Sequence, residues 1–259
     1  MSGKIDRTGE VGYNNFGSEM IIIRYKTNKD IDIYFPEYNW MAKNKQYGDF
    51  KKGEIKCPYD RNIYGVGYLG EGEYKCKENG KLTKVYNIWN SMLQRCYDEK
   101  RHKKQPTYID CEVDKNWHDF QNFGKWYEEN YYEIEGEIMC LDKDILIKHN
   151  KLYSPERCVF VPETINKLFT KCDKSRGESV IGTSPTRNGK YQAHCCLINL
   201  ETGKSKQQYL GVYDTQEKGF EVYKYYKEKN IKQVADYYFG RIPTELYDAL
   251  YRYEVEITD

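Results

Sequence analysis

The residue types that could do chemistry concentrate in one stretch: Leu141-Asp142-Lys143-Asp144-Ile145, then His149-Asn150, Tyr153-Ser154-Pro155, Cys158-Val159-Phe160-Val161 and Asn166. Two carboxylates with Asn and His nearby offer the oxygen and nitrogen ligands that suit a hard divalent cation. Such a cation stabilises the leaving oxygen of a phosphodiester while a neutral imidazole draws a proton from water. The local pattern predicts a short strand ending in the two carboxylates, a turn around His149-Asn150, a second strand from Cys158 to Val161 and a helix opening near Pro162. A turn and a helix start both return side chains toward the strand end, so Asp142, Asp144, Asn150 and Asn166 are expected to converge. The alternative is that Asp142 and Asp144 are turn and cap residues in a purely structural hairpin.

This stretch resembles the carboxy half of the HNH nuclease motifs of phage-encoded proteins. The likeness extends upstream through Trp89, Met92, Arg95-Cys96-Tyr97, Pro106, Tyr108, Cys111, Val113, Trp117, Phe120 and Phe123, so it runs from about 86 to 169. It implies a metal-dependent DNA endonuclease using magnesium or manganese, with Asp142 and Asp144 as metal ligands and Asn150 and Asn166 positioning the reactants. The family's base is a His at the end of the first strand, where this chain has Asp142-Lys143-Asp144. That leaves His118 or His149 for the base role, with a catalytically inactive DNA-binding protein as the other outcome. A third is a phage protein that inhibits a host defence complex by protein–protein contact. The implied setting is the cytoplasm of an infected bacterium, the implied main partner is double-stranded DNA, and a homo-oligomer is compatible with the family.

A second resemblance lies toward the carboxy terminus. Gly189-Lys190-Tyr191-Gln192-Ala193 and Tyr209-Leu210-Gly211-Val212-Tyr213-Asp214-Thr215 are similar to the Apetala-two-type DNA-binding domain, a three-stranded sheet packed on one helix. Tyr191 stands where that family has Trp, and Lys218-Gly219 replaces a Glu-Ala pair. The likeness assigns DNA contact to Arg187, Lys190, Gln192, His194, Lys204 and Lys206. The residues themselves predict strands joined by glycine turns, a helix capped by Asp214 with Glu217 three positions on, and Phe220, Tyr223, Tyr226 or Lys227, and Ile231 facing the sheet. Gly219 is expected to weaken that helix.

The elements that must position these groups read as an α+β chain. Its 259 residues exceed one typical domain. Four segments are expected: a small β-rich module over 1–64, a nuclease-type domain over 65–170, the DNA-binding sheet over 179–240 and a helical tail over 241–259. Ile31, Ile33 and Phe35 alternate with polar neighbours beside the β-rich run from Met20 to Tyr25, which predicts a hairpin. Val85, Ile88, Trp89, Met92, Leu93 and Cys96 form one helical stripe, and Trp117, Phe120, Phe123 and Trp126 predict a second helix over about 116–129. Gly65-x-Gly67-x-x-Gly70 fits a dinucleotide fingerprint only formally, since no βαβ pattern surrounds it, and reads as a flexible joint. Polar residues from Thr170 to Glu178 read as a linker.

Lys plus Arg number 41 against 40 Asp plus Glu, yet the charges are segregated. Lys100-Arg101-His102-Lys103-Lys104 is the densest basic run. Arg95, Arg101, Lys103 and Lys104 are the phosphate-contact candidates of the central region, and an acidic stretch follows from Asp110 to Asp144. The 27 Tyr could stack on bases, although an AT-rich genome yields the same bias. Nine Cys occur without a Cys-x-x-Cys pair, so structural zinc is disfavoured and Cys96, Cys111, Cys140 and Cys158 are expected in the core. The chain has no apolar run long enough for a membrane span, and its first residues lack the apolar core of a signal peptide, so an intracellular protein is expected.

Overall fold

The computed structural model describes residues 5–170, 179–200 and 202–259. The chain is α+β and divides into two compact units, Met1–Glu129 with Lys151–Ser154, and Asn130–Asn150 with Pro155–Asp259. The span expected as one nuclease-type domain, 65–170, is therefore shared between them. Most of the expected linker, 171–178, lies outside the described residues.

The first unit opens with a four-stranded antiparallel sheet, β1 (Val11–Tyr13), β2 (Glu19–Thr27), β3 (Asp30–Phe35) and β4 (Trp40–Lys45), in that order. The alternation of Ile31, Ile33 and Phe35 turns these side chains into a core with Met20, Ile22 and Ala42, closed by Phe50 on helix α1 (Tyr47–Lys51). The predicted hairpin is thus the middle of a larger sheet. Arg24 crosses the β2–β3 pair to bind Asp32 at 2.6 Å and Asp30 at 2.7 Å.

A short hairpin, β5 (Lys77–Glu78) and β6 (Lys81–Leu82), precedes helix α2 (Lys84–Tyr97), capped by the Thr83 hydroxyl accepting from the Tyr86 amide. Trp89 donates its indole N–H to the Trp117 carbonyl at 2.7 Å, which pins α2 to the next aromatic segment. The glycine-rich stretch is packed rather than a flexible joint. A Cβ at Gly67 would lie 2.5 Å from Leu93 and one at Gly70 would lie 2.3 Å from the Asp119 carboxylate, so the close approach requires glycine. Helix α3 (Glu99–Lys104) carries the basic run, and β7 (Glu112–Val113) follows.

The expected helix over 116–129 is broken. A 3-10 turn over Lys115–His118 ends at Asp119, whose extended backbone and side chain, accepting from the Gln121 amide at 2.9 Å, start helix α4 (Phe120–Asn130) afresh. Asp119 stops the first turn because its backbone also bridges Tyr68.

In the second unit β8 (Met139–Asp142) pairs antiparallel with β10 (Val159–Pro162), and helix α5 (Glu163–Leu168) follows. The predicted strand–turn–strand–helix is present. Between the strands, β9 (Leu152–Tyr153) belongs to the first unit and pairs in parallel with β7.

The carboxy-terminal sheet is β11 (Thr183–Pro185), β12 (Tyr191–Asn199) and β13 (Lys204–Tyr213), antiparallel in that order. Helix α6 (Gln216–Tyr238) packs on it through Tyr223, Ile231, Val234 and Ala235, and α7 (Thr244–Arg252) adds Leu246 and Leu250 to the same core. The cap of α6 is Thr215, not Asp214: its hydroxyl accepts from the Lys218 amide, while Asp214 pairs with Lys190 at 3.0 Å. Gly219 is a packing residue. Its added Cβ would lie 3.0 Å from Thr183 and 3.9 Å from Ala193, so glycine lets the helix settle on the sheet. Among the described residues no helix is long and apolar enough to cross a membrane.

Candidate functional site

Asp142 ends β8 and turns its carboxylate back onto the chain. One oxygen accepts from the amides of Asp144 and Ile145, both at 2.8 Å. Burial pushes this carboxyl up from its ordinary range, partly offset by the two amides. Asp144 points elsewhere, and Lys143 binds both its oxygens at 2.7 and 2.8 Å.

Lys143 is buried and also donates to the Asn150 carbonyl at 2.6 Å, while the Asn150 amide returns a bond to the Lys143 carbonyl at 2.8 Å. Arg157 in turn binds the Asn150 side-chain oxygen at 3.0 Å. The turn is thus closed by an internal cation. The donor set does not fit a divalent metal as it stands, because an ammonium already lies on both oxygens of Asp144 and would repel a second cation.

The other expected members do not join this turn. Asn166 lies on α5, where its carbonyl accepts from the Phe169 amide at 3.1 Å. His149 has a left-handed backbone, φ 61°, and its exposed ring lies 3.6 Å from Glu256. With Glu256 and Asp259 it makes the one group of metal-ligand types found within reach of one another among the described residues. Lys148 already sits 3.3 Å from Glu256 and 2.9 Å from Asp259. His118 belongs to the first unit, where its Nε2 lies 3.2 Å from the Val113 carbonyl and its ring packs edge-on to Tyr97. Burial lowers its pKa, so the neutral ring is favoured.

In the first unit Arg95 leaves α2 to lie over the rings of Tyr108, 5.8 Å, and Tyr153, 5.3 Å. Arg101, Lys103 and Lys104 follow on α3, where His102 Nε2 holds the Arg95 carbonyl at 2.9 Å. None of these four cations has a carboxylate partner among the described residues.

The sheet β11–β13 has two distinct faces. Ala193 and Cys195 are buried toward α6, and the Asn230 side chain accepts from the Ile198 amide at 3.0 Å. The opposite face carries Ser184 beside Gln192, His194 beside Tyr209, and Cys196 beside Gln207, as the strand register dictates. Gln192 donates to the Ser184 hydroxyl at 3.1 Å, and the His194 and Tyr209 rings lie 5.4 Å apart with Tyr209 59% exposed. No Asp or Glu occurs in any of the three strands.

Of the expected DNA contacts, Gln192 and His194 share this open face. Lys204 and Lys206 pair with Asn199 and Leu197, so they leave from the other side at the hairpin end, where both are exposed. Arg187 is exposed in the turn before Gly189, and Lys190 is partly neutralised by Asp214. Sequence reasoning missed Ser184, Gln207 and Tyr209. Alternation outward from Gln192 would have found Ser184, but a bulge between Ala193 and His194 resets the β13 register and hides the other two.

No protein-family model, curated protein or solved structure matches this chain.

Proposed function

We propose that this protein binds double-stranded DNA through the open face of β11–β13. The observation that carries the reading is a sheet face of neutral hydrogen-bonding and aromatic side chains, with no carboxylate in its strands and with Arg187 exposed in the turn that joins β11 to β12. Gln and Ser side chains suit base edges, His194 and Tyr209 supply ring surface, and the Arg187 guanidinium suits a phosphate. Strands entering a groove are an established mode of DNA reading. Binding is preferred to phosphodiester cleavage because Lys143 occupies Asp144 and Asp142 caps its own turn.

The test is a binding titration with mixed-sequence duplexes at several salt concentrations. Replacing Arg187 with Ala should lower the slope of log affinity against log salt by about 0.9, the share of one lost phosphate contact. Replacing Gln192 with Ala should leave that slope and reduce discrimination between sequences by about 1–3 kcal/mol. No duplex binding by the intact chain would overturn the reading, and magnesium- or manganese-dependent nicking of supercoiled plasmid would restore the nuclease alternative.

A further inference from the structure

Glu137, in the loop before β8, carries a carboxylate that two hydroxyls hold in place. The buried Thr164 hydroxyl on α5 lies 3.0 and 3.1 Å from its two oxygens, and the Tyr238 hydroxyl at the end of α6 donates to one of them. Burial, and then the bond to Glu137, push the Tyr238 phenol up, so it keeps its proton and stays a donor. Neither hydroxyl carries charge. Among the described residues no cation pairs with Glu137. Lys167 binds Glu163 at 2.8 Å instead. Arg241 stacks on the Tyr237 and Tyr238 rings, at 4.6 and 4.9 Å, and donates to the Tyr237 carbonyl.

These groups line a cavity of about 330 Å³ within the second unit. Its walls are the loop carrying Glu137, one side of α5, the turn that joins β12 to β13, and the end of α6. The loop and the turn arrive with glycines, Gly136 at φ 79° and Gly203 at φ 63°, so no side chain from either position fills the space. The volume has room for about ten water-sized groups. Glu163 and Lys167 balance one another, which leaves the lining with the charge of Glu137. A carboxylate offers about four acceptor positions, and two hydroxyls leave part of that capacity unused. Ile138 and Leu200 supply apolar surface in the same cavity.

We infer that this cavity binds a small primary amine, with its ammonium on Glu137 and its carbon chain against Ile138 and Leu200. An ammonium donates three hydrogen bonds and accepts none, which complements a carboxylate whose other donors are neutral. Thr164 and Tyr238 fix that carboxylate before the ligand arrives, so less ordering is lost on binding. A divalent metal fits less well, because Glu137 belongs to no group of three metal-ligand side chains among the described residues.

The test is calorimetric titration of the full chain with n-butylammonium chloride at constant ionic strength, with n-butanol and sodium butyrate as the neutral and anionic controls. It uses no DNA, so it succeeds or fails independently of the sheet reading. The wild-type chain should bind butylammonium and neither control. Glu137→Gln keeps an oxygen for the two hydroxyls and removes the charge, and should weaken binding by about tenfold or more, the loss expected for hydrogen bonds to a charged group. Lys167→Gln, at an exposed position, leaves Glu163 unbalanced and should strengthen binding by about twofold or more. A tighter complex is not what a damaged fold would give, so the lysine variant carries the test if the Glu137 variant does not fold. No butylammonium binding by wild type, equal binding of butanol, or affinity unchanged in either variant would overturn the site.

Discussion

Lys143 binds both carboxylate oxygens of its sequence neighbour Asp144, at 2.7 and 2.8 Å, while its own stem is buried. The pair closes the turn in which a metal-dependent nuclease would keep its acids open. Lys143→Met keeps the apolar stem and removes the ammonium, leaving the Asn150 carbonyl without this donor. Urea denaturation should show a loss of about 1–3 kcal/mol. Asp144 is then released, so the variant should gain thermal stabilisation from magnesium that the wild type lacks. Equal magnesium response in both chains would show that Lys143 does not exclude the cation.

Asp142 gives a pH signature of the opposite sign to that of an ordinary salt-bridged carboxylate. Its folded pKa is raised by burial, so the native chain holds a proton that the unfolded chain has released. Stability should therefore fall as pH rises from the unfolded value of about 3.9 toward the folded one, then level off. Asp142→Asn keeps an oxygen for the Asp144 and Ile145 amides and should remove this fall. Melting temperatures of both chains across the acid range decide it, and parallel curves would count against a buried carboxyl.

For His118 the folded pKa is lowered, mainly by burial, so the unfolded chain binds the extra proton. Stability should be full above about pH 6.5 and decline as pH falls below it, the reverse of a histidine that gains an acidic partner. His118→Gln, which can still donate to the Val113 carbonyl, should flatten that decline. A steeper decline in the variant would contradict a neutral buried ring.

Gly182 tests whether the sheet depends on its docking to α6. Its φ is 78°, and an added Cβ would lie 2.1 Å from the Tyr223 ring. Gly182→Ala combines left-handed strain with a clash against core, so a loss of about 3 kcal/mol or more is expected. DNA binding should fall with it. A variant with wild-type stability would mean that the helix and sheet pack differently in solution.

The elements whose signal is local were legible in the sequence. The alternation of Ile31, Ile33 and Phe35 marked a half-buried strand, the stripe through Trp89, Met92 and Leu93 marked α2, and the run from Leu141 to Asn166 marked strand, turn, strand and helix. What each residue does there depended on partners that periodicity does not name. The sequence places Asp142, Asp144 and Asn150 close along the chain, but only the folded turn sends Asp142 to backbone amides and lets Lys143 reach both Asp144 and Asn150.

The same holds for the sheet. Three strands joined by glycine turns were visible, yet the bulge after Ala193 decided that Tyr209 shares a face with His194 while Lys206 leaves from the other side. Local propensity sets which residues extend or coil, because that is a property of each residue and its near neighbours. Which donors meet which acceptors was decided by tertiary structure, because a buried group takes the partner that packing brings within about 3 Å, whatever its distance along the chain.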